Sequence, residues 1–150
     1  MFEMLVRRGG AFLIDLIILI LIFYGNMQFI LASFNVTLDQ PLGLQVLMPL
    51  LVLQLIYVFI YFIYIPIRQS GQTIGKRIFK IKEVKLDGEE LTVNDYFKRD
   101  VLLKFLLSSL TSGVMVLFNV ILLTYQCFRK QPLRAFQDIV MKTEVIKISK

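Results

Sequence analysis

Three apolar blocks run through this chain, from Ala11 to about Ser33, from Leu44 to Ile67 and from Val101 to Cys127. Each is long enough to cross a bilayer, which takes about 20 predominantly apolar residues. At hydrocarbon depth every backbone N–H and C=O must be satisfied within the protein, so blocks of this length point to helices. Composition agrees: 57% of residues are hydrophobic and 19% charged, and mean hydropathy is +0.70. Soluble domains are roughly half apolar and a quarter charged. The expected fold is an all-α membrane protein, one domain over residues 1–150, with three to four transmembrane or re-entrant helices and a small cytoplasmic β-hairpin. The first block exceeds the roughly 7–15-residue core of a signal peptide and reads as a retained anchor.

The distribution of charge sets the expected topology. The loop "FNVTLDQPLG" between the first two blocks has no lysine or arginine, whereas residues 68–99 carry Arg68, Lys76, Arg77, Lys80, Lys82, Lys85, Lys98 and Arg99, and Arg7 and Arg8 precede the first block. Basic loops stay on the cytoplasmic side, which puts the amino terminus and the 68–100 segment there. The carboxyl tail, with Arg129, Lys130, Arg134, Lys142, Lys147 and Lys150, belongs there too. A single span through the third block would place it outside. "SSLTSG", residues 108–113, could reverse two short helices, about 95–110 and 113–128; the rival is an interfacial helix to Lys104 followed by a span over 105–127. Membrane helices are thus expected at about 11–33, 44–67, 95–110 and 113–128, in the cell membrane, with both termini cytoplasmic.

Strand signals favour the reversal. "KRIFKIKEVKLDGEEL" reads as a strand running into an Asp87-Gly88 turn, within about 77–93, and "TEVIKIS", about 143–149, is β-branched and alternating. Two lone strands in one compartment would pair, which needs an even number of crossings between them. Thr92 with Asp95 three residues on resembles a capping box that starts the helix entering the third block.

Several function classes drop out. The chain has no histidine and one cysteine, which removes histidine acid–base catalysis, histidine-rich zinc sites and any internal disulfide; Cys127 reads as passive. The reading is of a protein that is not an enzyme and has neither cofactor nor metal. The net charge of +6 fits basic loops against anionic lipid, making the bilayer the expected partner and nucleic acid not one. "SGQTIGKR" is no phosphate loop, because Gly71 and Gly75 enclose three residues rather than four and Arg77 stands where Ser or Thr would hold magnesium. Lys76 and Arg77 are instead expected to meet lipid phosphate or the carboxylate of Asp138.

Polar residues inside the blocks fall on helix faces. Arg8 and Asp15 are seven residues apart, so they return to within about 20° of one face, about 10 Å apart along the axis, and Asn26 falls on that face too. In the second block Gln54, Tyr57, Tyr61 and Tyr64 recur at intervals of three and four. Tyr61 lies seven residues before Arg68 as Asp15 lies seven after Arg8, so the two lines should meet at one depth. Ser112, Asn119 and Gln126 make a third face. An aspartate at mid-helix costs about 2.5–3.5 kcal/mol, less than the gain of about 0.3–0.6 kcal/mol from each apolar neighbour summed along the helix. Asp15 must therefore face protein or water.

These residues carry a resemblance. "RGGAFLID" fits the Arg-x-x-Ala-x-x-Ile-Asp opening of the RDD family of small membrane proteins, "GQTIGKRIFKIKEV" resembles its Gly-x-Thr-x-Gly-Lys-Arg segment, and "RAFQDIVMKTEVI" resembles its closing His-Asp-x-x-x-Gly-Thr-x-Val segment. The resemblance implies that Arg8, Asp15 and Asp138 are the family's arginine and two aspartates, and that exchange of monovalent cations for protons, proposed for some members, is a candidate activity. Gln137 and Lys142 stand where the family usually has histidine and glycine, which leaves a histidine-dependent proton transfer without its residue here.

Two readings of Asp15 stand open. In one it is bridged to Arg8, Arg134 or a tyrosine hydroxyl and locks helices together, with Asp138 doing the same at the cytoplasmic end. In the other, desolvation raises its pKa and it alternately binds a proton or a monovalent cation, with Tyr61, Gln54 and Asn26 lining the route. The matching functions are cation or proton-coupled transport, which in so small a chain calls for a homo-oligomer or a partner membrane protein, and a non-catalytic accessory or assembly subunit.

Overall fold

The computed structural model describes residues 1–39 and 41–148. Residue 149, the expected end of the second strand segment, lies outside them. Helix α1 spans Phe2–Phe34 and α2 spans Leu44–Arg68. At 1.5 Å per residue they are about 50 and 37 Å long, against a hydrocarbon core of about 30 Å. Both turn large apolar side chains outward, among them Leu13, Ile17, Leu21, Leu51 and Leu55. An apolar exterior over this length suits lipid rather than water. The chain is a membrane protein with two long spanning helices.

The third apolar block is bent. Helix α4, Val93–Leu110, and helix α5, Val114–Phe128, meet at a break of 115°. Gly113 stands at the break with φ +84°, a conformation open to glycine because it lacks a Cβ, and its N–H returns to the Ser108 carbonyl at 2.8 Å. Fifteen residues make α5 about 22 Å long, short of a full crossing. The two arms form a V whose outer ends face the same end of the molecule.

That end holds the remaining elements: α3 (Ile74–Ile78), β1 (Ile81–Lys85), α6 (Phe136–Met141) and β2 (Thr143–Lys147). The two strands form an antiparallel sheet, with Ile81 opposite Lys147 and Lys85 opposite Thr143. The pairing spans some 60 residues of sequence and contains the whole V. Both strands therefore lie on one side of the bilayer, as the expected pairing requires. Within the first strand segment, residues 77 and 78 belong to α3, and after Lys85 the chain turns at Asp87-Gly88 toward α4. There the expected capping box forms: the Asp95 N–H donates to Thr92 Oγ1, and the Thr92 N–H donates to Asp95 Oδ2 at 2.9 Å.

Two helices contain stretches of i→i+5 hydrogen bonding, Ile60–Tyr64 in α2 and Phe97–Leu106 in α4. A π-turn inserts a residue and rotates the faces on either side of it. Tyr61 is turned inward while Tyr57 and Tyr64 face out, so the four-residue polar line drawn on a 3.6-residue helix does not stay on one face.

Strand pairing has a direct check. Lys82→Cys with Ile146→Cys, at directly opposed positions, should form a disulfide on mild oxidation in membranes, within the Cα spacing such bonds accept. A pair that stays reduced while each single cysteine is reactive would mean the strands are apart.

Candidate functional site

Two polar centres lie where the helices meet the sheet. The first surrounds Asp15, which is 2% exposed. Its Oδ1 accepts from the Tyr61 hydroxyl at 2.6 Å and from the Gly75 N–H at 2.8 Å, and its Oδ2 accepts from the Thr73 hydroxyl at 2.7 Å. Thr73 caps α3, so the "GQTIGK" segment folds over α1 and delivers two of the three donors. The approach needs a glycine: a Cβ at position 75 would stand 2.6 Å from the Asp15 carboxylate and against the Ala11 carbonyl. Asp15 and Tyr61 thus meet at the common depth expected of them.

Arg8 does not serve Asp15. Its guanidinium reaches the other way, pairing with Asp138 and donating to the Leu133 carbonyl at 2.7 Å. A separation of about 10 Å along one helix exceeds what an arginine folded back on its own helix can bridge, and Asp138 is nearer. Arg134 is also elsewhere: its guanidinium lies 3.8 Å from Glu144. Of the partners expected for Asp15, the tyrosine hydroxyl is the one present.

The second centre is a buried ion network around Arg99. Its guanidinium donates to Asp138 Oδ1 at 2.6 Å and to Asp100 Oδ2 at 3.0 Å, contacts Thr143 Oγ1 at 3.2 Å, and pairs with Glu83. Glu83 also holds Lys76, so Lys76 meets neither lipid nor Asp138, and Arg77 beside it is exposed. Asp138 caps α6 through the Ala135 N–H at 3.0 Å. Arg99 therefore joins α4 to β1, α6 and β2, and Arg8 adds α1.

Electrostatics explains how such a cluster persists. Burial acts to raise the carboxyl groups of Glu83 and Asp138, but the nearby cations outweigh it: Arg99 and Lys76 at Glu83, Arg99 and Arg8 at Asp138. Both are held below the ordinary carboxylate range. The buried Lys76 and Arg99 and the half-buried Arg8 and Lys104 stand against the buried Asp15, Glu83, Asp100 and Asp138, so the charges gathered here balance.

The remaining polar candidates separate. Gln54 is half-buried and its Oε1 has no hydrogen-bond partner; Asn26 is buried with Nδ2 unpaired, among the described residues. Neither bonds to Asp15. Asn119 and Gln126, two of the three residues of the third polar face, point at the return segment: Asn119 Oδ1 accepts from the Phe136 N–H at 2.7 Å and Gln126 Oε1 from the Arg134 N–H at 2.8 Å. Gln137 Oε1 accepts from Asn119 Nδ2 at 3.3 Å. Lys142 closes α6 at φ 51°, where glycine would fit at lower energy by on the order of 1 kcal/mol.

Sequence reading missed Arg99, Asp100, Glu83, Lys104, Thr73 and Gly75 as site residues. In the sequence Arg99 reads only as loop charge. The available signals were the two-residue period that puts Glu83 on the face of Ile81, and a lysine four residues after Asp100 inside an apolar run.

A half-open cleft of about 750 Å3 lies between α1 and the arms of the V, with Asp15, Gln54 and Lys104 on its wall. Apolar spans fastened at one end by buried ions define a polytopic α-helical membrane protein. The chain belongs to the RDD family, whose model matches residues 3–142. No curated protein and no solved structure matches it.

Two outcomes follow from the ion network. Arg99→Gln would leave three carboxylates without their common cation and should destabilise the protein by about 3–5 kcal/mol, read as loss of accumulation or of thermal stability in detergent; the exposed neighbour Lys98→Gln should change it little. Because Glu83 and Asp138 have depressed pKa values, their stabilisation is complete above the unfolded carboxylate range, near pH 4. It is lost as pH falls through the lower folded values. The Tm should hold from neutral pH to about pH 5 and fall below pH 4; a flat profile to pH 2 would contradict the assignment.

Proposed function

We propose that this protein exchanges protons for monovalent cations across the cell membrane through Asp15, acting as a carrier and not as an enzyme. One observation supports it: Asp15 is a buried carboxylate with no cation hydrogen-bonded to it among the described residues, held by three neutral donors and lying on the wall of the cleft. A carboxylate paired to arginine is already neutralised and has little reason to take up a proton or an ion. Asp15 keeps that capacity.

The chemistry follows from the donors. An ionised carboxylate accepts at about four lone-pair positions, and Tyr61, Gly75 and Thr73 use three. The fourth, on Oδ2, has no partner among the described residues and is where a proton or a cation would bind. Gln54, which lines the same cleft about two helical turns from Tyr61, would be a polar side chain along the route rather than a ligand beside Asp15. Under this reading the sheet and both termini face the cytoplasm, following the basic residues around them. The pathway is completed by a second copy or a partner, because two long helices and a V do not enclose one.

A second reading, an accessory subunit of a membrane complex, draws on the large apolar side chains that α1 and α2 leave exposed, a surface that would pack against another membrane protein.

In proteoliposomes, an imposed sodium or potassium gradient should drive proton movement. Asp15→Asn should reduce it to background while the protein remains folded, and Tyr61→Phe should slow it about tenfold, as loss of a charge-assisted hydrogen bond would. Wild-type protein that moves no protons, or movement indifferent to Asp15→Asn, would favour the accessory reading.

A further inference from the structure

Lys104 is the half-buried charge that the ion network leaves over. Its ammonium makes no hydrogen bond within the described residues; the nearest carboxylate oxygen, on Asp100, is 3.9 Å away. The ring of Phe62 lies 4.8 Å from it. Its side chain is 19% exposed and lines the cleft. An ammonium carries three donors, and leaving them unmet at membrane depth is costly.

The cleft complements an anionic amphiphile. Arg8, Lys76, Arg99 and Lys104 reach its wall against Asp15 and Glu83, a net charge of +2, because Asp100 and Asp138 lie behind the arginines. Ser108 and Ser109, beyond Lys104 on α4, add hydroxyl donors at the same wall. The rest is apolar, formed by Leu16, Leu19 and Phe23 of α1 facing Val120 and Leu123 of α5. From Leu5 to Phe23 the α1 wall extends 18 residue steps, about 27 Å. One leaflet of hydrocarbon is about 15 Å thick, so the wall accommodates both an acyl chain and the start of a headgroup. The volume of about 750 Å3 is within the roughly 300–1,000 Å3 of ordinary ligand sites.

We propose that the cleft binds one anionic phospholipid, its phosphate at Lys104 with Ser108 and Ser109, and an acyl chain between α1 and α5. A simple surface lysine would instead extend its ammonium to the interface; Lys104 is packed on Phe62, inside the protein. The site depends on Lys104 and the apolar walls and stands whether or not Asp15 carries ions. A bound phosphate would also offset the positive wall.

Binding can be read by native mass spectrometry of detergent-purified protein, stripped of lipid and titrated with phosphatidylglycerol or phosphatidylcholine of identical chains. Phosphatidylglycerol should be retained preferentially. Lys104→Met should weaken its retention at least about tenfold, the loss expected of a charge-assisted contact, while Lys104→Arg and the exposed Lys98→Met preserve it. Should Lys104→Met not fold, Leu123→Trp, which fills the apolar wall and keeps the cation, must show the same loss. Equal retention of the two lipids, or retention unchanged in whichever of these two variants folds, would overturn the proposal. Displacement of the lipid by inorganic phosphate alone would do so as well, since the acyl chain would then contribute nothing.

Discussion

One guanidinium organises this protein. Arg99 comes from a helix that begins outside the apolar block, and it is 2% exposed among carboxylates supplied by β1, α4 and α6. A buried charge without partners is far more expensive than any single apolar contact, so each carboxylate is obliged to be where Arg99 is. That obligation fixes the sheet under the helices. It also brings the carboxyl tail back to the end from which the V departs. The lipid-facing helices have no comparable reason to choose one neighbour over another, since hydrocarbon is as apolar as leucine.

Asp15 works on a different principle. Its three donors are neutral and come from two elements, so it connects α1 to α2 and α3 by directional bonds rather than by opposite charge. The segment from Thr73 to Gly75 can approach because glycine has no Cβ to strike the Ala11 carbonyl. Arg8 and Asp15, one helix and two turns apart, therefore serve separate centres: Arg8 the ion network, Asp15 the cleft. The separation leaves Asp15 without a hydrogen-bonded cation among the described residues, and that is what gives it chemical interest.

Much of the layout was legible because each feature had a local physical signature. Long apolar runs announce spanning helices, and a basic tail that three crossings would misplace favours a reversal within residues 108–113 over the rival straight span. Two β-branched segments with no neighbours announce each other. The shared depth of Asp15 and Tyr61 followed from equal spacing to basic residues, and the structure joins them at 2.6 Å. The site was less legible. Periodicity put Arg8 and Asp15 on one face and suggested a pair, but it carries no information about a competing carboxylate 130 residues away. Helical spacing likewise could not foresee the π-turn at Ile60–Tyr64, which turns Tyr57 and Tyr64 away from Tyr61.

By itself the sequence left a straight third span and a reversal at residues 108–113 both open, while it determined the solvent this protein lives in, the places of its apolar blocks and the end at which its charges gather. These follow from transfer free energies and backbone saturation, which depend on composition over short windows. Only the tertiary structure decided which charge meets which. Arg99 in the centre, Lys76 on Glu83, Arg8 on Asp138, and Lys104 left facing the cleft are outcomes of distance in three dimensions. With four acids and four bases gathered at one end, many pairings would balance the charge, and the packing of α4 against the sheet selects one.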